Sequence, residues 1–279
     1  MGVEVTGQTF VLPRRPRQAH KGDFGRVYVL GGSVGYTGAP VFAANAAVRT
    51  GSGLVFLGVP RDIWAVTAVR CAEAMPHPLD TEPQRVLERI ARCDAALIGP
   101  GLGRSEETDR LVRFLVERLE LPLVLDADGL NALAGHTQLL KGRTAPTVLT
   151  PHEGEFARLT GCALPVKDRE GAAADFAREH GCVLVLKGKN TVTAHPDGRV
   201  WINTTGNPGM AKGGSGDVLA GMILSLVGQG IEAGQAAAMA VWLHGRAGDL
   251  CARELGEYAM TPSDMLAMLP QALKELEQI

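Results

Sequence analysis

A glycine-rich stretch ending in an acid is the part of this sequence best suited to chemistry. It runs Thr204-Thr205-Gly206-Asn207-Pro208-Gly209-Met210-Ala211-Lys212-Gly213-Gly214-Ser215-Gly216-Asp217. Beyond it, Val218, Leu219, Met222, Ile223, Leu226 and Val227 are spaced for one buried helix face. Gly213, Gly214 and Gly216 allow positive φ and let N–H groups converge. With the free amides of the helix start they make an anion site. No GxxxxGK[ST] run is present, so this is phosphate chemistry without a Walker A loop. Asp217 opens the helix facing the same space. An acid beside phosphate is repelled unless it works as a base, a role worth roughly 10²–10⁴-fold in rate. The bland alternative is that it complements the helix dipole, worth about 0.3–1 kcal/mol.

Other candidates sit at strand ends. Gly31-Gly32-Ser33-Val34-Gly35-Tyr36-Thr37-Gly38 and Gly99-Pro100-Gly101-Leu102-Gly103 each follow an apolar run and precede a helical one. Neither has the GxGxxG spacing of a dinucleotide fingerprint. Each alone is as readily a tight turn as a ligand loop. All three glycine loops leave the same end of strands, where α/β sheets bind ligands. Asp126-Ala127-Asp128-Gly129-Leu130-Asn131 and Pro151-His152-Glu153-Gly154-Glu155 place acids at the same level. Glu153 and Glu155 suit Mg²⁺ held partly through water; helix capping is the alternative for Asp128 and Glu153. Lys187-Gly188-Lys189-Asn190-Thr191 offers a charge clamp for phosphate, or a pair of surface lysines at a turn. His20, His77, His136, His180, His195 and His244 show no metal spacing and read as structural or solvated.

The elements that must position these groups alternate. Arg26–Leu30, Leu54–Val59, Ala95–Ile98, Leu121–Asp126, Thr147–Leu149 and Cys182–Leu186 read as buried strands. Arg61–Cys71, Ser105–Leu119 and Lys167–His180 have helical spacing. That alternation predicts βαβ units and a mainly parallel sheet covered on both faces. Asn190–Ala194 and Arg199–Asn203 flank an Asp-Gly turn and predict a hairpin. Three helices are expected after it: Ser215–Val227, an Ala-rich core helix over Glu232–Arg253, and Thr261–Glu277. No linker or repeat divides the chain, which reads as one domain over 1–279. Residues 1–17 read as a leading arm without the apolar stretch of a signal peptide.

Composition narrows the function classes. There are 35 glycines in 279 residues, against an average usage of roughly 7%. A net charge of −2 gives no reason to expect nucleic acid or an anionic membrane surface. No apolar run is long enough to span a bilayer. The five cysteines form no CxxC pair and suit a reducing cytoplasm rather than a disulfide framework or zinc site.

Taken in order, the motifs are specific. Lys21-Gly22-Asp23-Phe24-Gly25, Gly31-Gly32, Gly38-Ala39, Gly99–Gly103, Asp126–Asn131, Thr150–Phe156 and Gly213–Asp217 together resemble the ADP/ATP-dependent NAD(P)H-hydrate dehydratase family of the ribokinase-like superfamily. The resemblance runs from about Arg17 to the C-terminus. It implies a ribokinase-like α/β fold and a stand-alone bacterial-type dehydratase, working in the cytoplasm as a homotetramer. The implied reaction returns (6S)-hydrated NADH or NADPH to the reduced dinucleotide. ADP with Mg²⁺ phosphorylates the 6-hydroxyl, and phosphate then leaves. The family's roles fall on Asp217 as base, with Gly214 and Gly216 at the transferring phosphate. Lys187, Gly188, Lys189, Asn190, Thr191 and Gly216 match its AMP positions. His152, Asp217, Gly101 or Gly103, and an Ala of the Gly38–Ala44 segment (Ala39 or Ala43) match its hydrated-dinucleotide positions. Glu153 and Glu155 sit where related kinases manage Mg²⁺, although His152 stands where those kinases carry Asn. The rival readings are a ribokinase-like kinase for a small vitamin-precursor alcohol, and a silent nucleotide sensor.

Overall fold

The computed structural model describes residues 2–277. Its strands are β1 (Val3–Glu4), β2 (Arg26–Leu30), β3 (Leu54–Val59), β4 (Met75–Pro78), β5 (Ala95–Ile98), β6 (Leu123–Leu125), β7 (Thr147–Leu149), β8 (Val183–Leu186), β9 (Thr191–Ala194) and β10 (Val200–Asn203). Its helices are α1 (Gly38–Arg49), α2 (Arg61–Arg70), α3 (Pro83–Ile90), α4 (Glu106–Arg118), α5 (Asp128–Asn131), α6 (Gln138–Lys141), α7 (Glu153–Thr160), α8 (Arg169–His180), α9 (Ser215–Gly228), α10 (Ala233–Ala259) and α11 (Pro262–Glu277). The strands form one ten-stranded sheet in the order β1-β10-β9-β8-β7-β6-β5-β2-β3-β4. Only β9 runs against its neighbours. The carboxyl ends of β2, β5, β6, β7, β8 and β10 therefore share one edge.

Strand residues alternate between two apolar layers, as the period of two requires. Val27 and Val29 join a layer with α1, α9, α10 and α11. Tyr28 and Leu30 join the other, with α3, α4 and α8. Small residues set the spacing in the first layer. A Cβ on Gly221 of α9 would strike the Ala43 carbonyl of α1, and Ala236, Ala237 and Ala240 of α10 are fully buried. The Ala-rich helix is thus a core helix, as its composition predicts. It runs beyond the expected end at Arg253 to Ala259, with a non-helical Gly256 inside.

Two expectations shift. The leading arm contributes a strand, β1, and buries Val5 and Phe10. The run Leu121–Asp126 is a strand only over Leu123–Leu125, and Asp126, just past its end, still donates its N–H to the Ile98 carbonyl at 3.2 Å. Among the described residues no helix is long and apolar enough to cross a membrane. All five cysteines are free.

Candidate active site

The loops at the carboxyl edge lock to one another. Gly32 N–H donates to the Pro100 carbonyl at 2.8 Å, and Ser33 Oγ to the Gly101 carbonyl at 2.8 Å. Gly103 N–H donates to Asp128 Oδ2 at 2.9 Å, and Asn131 Nδ2 to Asp128 Oδ1 at 3.2 Å. Asp128 is therefore a bracket between loops, not merely a helix-start acid. Gly101 has φ +62°, and a Cβ there would lie 3.0 Å from Ala39 Cβ. Ala39 is half-buried against this loop. Ala43 differs: it is fully buried in the α1–α9 contact. Of the two alanines, Ala39 is the one with surface open beside the Gly101 loop.

Behind the loops sits a charge cluster. Asp126 is 2% exposed and accepts from Thr150 Oγ1 at 2.7 Å and Lys187 Nζ at 2.8 Å. The same Nζ lies 3.8 Å from Glu155 Oε2. Burial alone would lower the Lys187 ammonium. The carboxylates of Asp126, Glu155 and Asp217 outweigh it and hold the group above its ordinary value. Lys187 is thus no surface lysine; its Nζ is 3.3 Å from where a Cβ on Gly216 would stand. Asp217, half-buried on the first turn of α9, feels the opposite field. Burial first, then the charges of Asp126, Glu155 and Asp128, raise its carboxyl to about 7 against the pull of Lys187.

The glycine loop is held from behind by residues that the motif alone did not single out. Asp249 Oδ2 accepts from Gly206 N–H at 3.0 Å and its Oδ1 from Asn207 Nδ2 at 3.1 Å. Lys212 Nζ donates to the Tyr258 carbonyl at 2.7 Å. His244 is buried, its ring pushed down to about 4 by desolvation, and its neutral Nε2 donates to the Ser215 carbonyl at 2.9 Å. Gly214 takes φ +102°, and a Cβ there would sit 2.9 Å from the Phe42 ring. This turn, in which Ser215 N–H donates to the Lys212 carbonyl at 3.2 Å, sets the start of α9 at the edge. Asp249 and His244 lie within a helical pattern that gives no sign of their reach to the loop.

The His152 segment is a capping box on α7. His152 Nδ1 accepts from Gly154 and Glu155 N–H at 3.0 and 3.2 Å, and Glu155 Oε2 accepts from His152 N–H at 2.8 Å. Nδ1 is thereby an acceptor, and Nε2 lies 3.5 Å from Glu155 Oε1. His152 also bridges to Lys187 in parallel fashion, which aligns α7 with the end of β8. Glu153 pairs with Arg169 Nε at 3.1 Å. Both glutamates are thus engaged with protein groups. Among the described residues no three His, Cys, Asp or Glu side chains form a metal cage. The donor set fits Mg²⁺ only as an ion carried by phosphate oxygens and water.

Arg169 is the largest omission of the sequence reading. Its guanidinium donates to the carbonyls of Leu186, Lys187, Lys189 and Asn190 at 2.9, 3.1, 2.6 and 3.2 Å. It shapes the turn carrying Gly188, Lys189, Asn190 and Thr191, whose Thr191 Oγ1 donates to the Gly188 carbonyl at 2.9 Å. Lys189 and Asn190 are exposed there. A side chain that acts mainly on backbone carbonyls leaves no spacing pattern to read.

Comparison with known proteins bears on the family and the fold. A family model described as NAD(P)H-hydrate dehydratase matches residues 27–271. The bifunctional NAD(P)H-hydrate repair enzyme of Moorella thermoacetica is 49% identical over 278 residues, covering 96% of this chain and 52% of that one. The chain thus spans about half the length of that relative. The ADP-dependent (S)-NAD(P)H-hydrate dehydratase of Neisseria meningitidis is 38% identical, covering 88% of this chain and 83% of that one. The Bacillus subtilis ADP/ATP-dependent NAD(P)H-hydrate dehydratase, co-crystallized with ATP/Mg²⁺, superposes with a TM-score of 0.85 at 34% identity, covering 96% and 95% of the two chains. Likeness to Thermotoga maritima ribokinase, 14% identical with a TM-score of 0.55 over 88% of this chain and 100% of that one, is a likeness of fold.

Proposed function

The chain belongs to the NAD(P)H-hydrate dehydratase family, and from that premise we propose that it restores NADH and NADPH from their (6S)-hydrates in an ADP-dependent reaction. The observation that carries the proposal is Asp217. It is an acid poised at about 7, at the mouth of a helix-start anion loop, with Lys187 beside it. A base working at neutral pH has this character.

The reaction takes two steps. Asp217 removes the proton of the 6-hydroxyl while that oxygen attacks the β-phosphorus of ADP. The new O–P bond forms as the bond to the α-phosphate oxygen breaks, and AMP departs. The glycine amides of the loop, Gly216 among them, held in place from behind by Asp249 and His244, face the transferring phosphoryl group and stabilise its charge. Lys187 offsets the charge gathering between the phosphates and Asp126. In the second step the C6–O bond breaks and phosphate leaves with the electron pair. The ring loses its C5 proton and the double bond re-forms. Mg²⁺, when bound, would neutralise phosphate charge, with Glu153 and Glu155 reaching it only through water.

The nucleotide is assigned to Lys187–Thr191 and Gly216, and the hydrated dinucleotide to Ala39, Gly101, Gly103, His152 and Asp217. The shared edge supports both assignments, as does the exposure of the His152 side chain. ADP is favoured by the Neisseria relative's name. A single domain, a homotetramer and a cytoplasmic setting complete the proposal. The free thiols, with Cys162 exposed, suit a reducing compartment.

Incubating the protein with (6S)-hydrated NADH and ADP tests it. Recovery of the reduced-nicotinamide absorbance together with equimolar AMP is expected. No recovery, alongside phosphorylation of a thiazole or pyridoxal alcohol, would replace the proposal with a vitamin-precursor kinase.

A further inference from the structure

Two adjoining cavities lie on the outer part of the sheet, against β2, β3, β4 and α3, with volumes of about 570 and 560 Å³. None of their lining residues belongs to the segments assigned to catalysis or nucleotide binding. The two share Tyr28, His77, Arg89 and Arg92. The first adds Arg61 and Arg85, and the second adds Arg26 and an apolar wall of Leu54, Phe56 and Met75.

The arginines are the anomaly. Arg85 is answered by Asp80 at 3.5 Å. Among the described residues, Arg26, Arg61, Arg89 and Arg92 have no carboxylate within ion-pair distance. The chain as a whole carries 28 basic against 30 acidic residues, so general basicity does not explain the cluster. Like charges around one hollow repel, and an anion relieves that repulsion.

The floor is built rather than incidental. Tyr28 is 1% exposed, and its hydroxyl meets His77 Nε2 at 2.9 Å with the rings edge-on at 5.5 Å. Burial lowers the His77 ring, and the Arg89 charge lowers it further, so the imidazole is neutral at neutral pH. Burial holds the Tyr28 hydroxyl well above its ordinary value, against the smaller opposing pull of the Arg89 charge, and Arg89 lines both cavities with the pair. Guanidinium forks match phosphate oxygens two at a time. The apolar wall beside them suits a flat, weakly polar group, and both volumes fall in the range of small-molecule sites, roughly 300–1,000 Å³.

We propose that this double cavity is a second binding site, separate from catalysis, for a small phosphorylated molecule with a planar apolar part. Its phosphate is held by Arg89 and Arg92, which line both cavities, and its ring rests on Phe56 and Leu54. Phenyl phosphate and inorganic phosphate are suitable probes. Titration into isotope-labelled protein, followed by NMR at the His77 ring and the Arg89 Nε, reports this cavity independently of the active site. Saturable shifts there with phenyl phosphate, tighter than with inorganic phosphate, are expected. Arg89→Gln/Arg92→Gln alters two exposed positions, one on α3 and one in the turn after it. It should weaken binding about tenfold or more, the loss of one charge-assisted hydrogen bond. Arg110→Gln/Arg118→Gln removes the same charge from α4 and should leave binding unchanged. Melting curves verify that both variants fold. The proposal is overturned by shifts confined to Gly213–Asp217, by no saturation at His77 and Arg89, or by equal weakening in the two double variants.

Discussion

Asp217 is where a single side chain carries the most chemistry. A carboxylate present only to complement the helix dipole would titrate below its ordinary value, because the dipole favours its charged form. Asp217 lies at about 7 instead, because burial and the neighbouring carboxylates outweigh both dipole and Lys187. Two consequences follow from one group. As a base it must be ionised, so kcat/KM should rise with pH through about 7 and then level. Asp217→Asn should lower turnover at least ~10²-fold while ADP still binds. The folded chain, however, holds this proton more tightly than the unfolded chain, whose carboxyl titrates near 3.8. Between those values the folded state is the more protonated, so the native group loses stability as pH rises from about 4 to about 7. Asn removes that penalty, so the variant should be the more stable form at pH 8, by about 1–4 kcal/mol, with the gap closing toward pH 4. Pre-steady-state turnover and denaturant melts at several pH values check both halves. A variant that turns over normally, or shows the same stability gap at every pH, removes Asp217 from this role. The sequence shows an acid in the right place. Its proton affinity depends on Asp126, Asp128 and Glu155, which arrive from other strands.

At the scale of elements, the long helices and central strands are legible because their apolar spacing is regular. The edge is less so. β4 (Met75–Pro78) carries two prolines and a histidine, which suit an edge strand but hide it from any β-branched pattern. α3 is only eight residues long. The turn between β8 and β9 is legible as a candidate segment, but its geometry belongs to Arg169 on α8. One guanidinium reaches four carbonyls of residues 186–190 while its Nε faces Glu153. Arg169→Gln should therefore raise the KM for ADP about tenfold, one charge-assisted hydrogen bond's worth, with a smaller change in kcat. Arg169→Lys should recover only part of that affinity, since an ammonium cannot hold the carbonyls in a fork. Steady-state kinetics on both variants at varied ADP is the check. Unchanged KM values, or kcat and KM falling together, would reduce Arg169 to general support of the fold.

For the whole molecule, the glycine excess and the small net charge belong together. Under the proposed function, phosphates would be met by backbone amides at loops along one edge of the sheet, which is how a chain of net charge −2 would take two anionic nucleotides at that edge. The far side of the sheet carries a part of the design that composition did not disclose. The leading arm lays Val3–Glu4 parallel to β10, with Val3 beside Trp201. Val5 N–H donates to the Ile202 carbonyl at 3.0 Å, and Phe10 is 5% exposed in the core layer of α9 and α10. β10 runs straight into the Thr204–Asp217 loop, and Thr204 Oγ1 donates to Glu4 Oε1 at 2.8 Å. The arm therefore closes the sheet beside the strand that delivers the anion loop. Phe10→Ala should cost about 3–5 kcal/mol, the usual loss for a buried aromatic ring. In a chain of this size that lowers the melting temperature by roughly 5–15 °C. Val11→Ala, one position on and 84% exposed, is the matched control and should melt as the parent does. If both variants melt with the parent, the arm is a loose strand end. If only Phe10→Ala falls, the arm is part of the core that holds the anion loop in place.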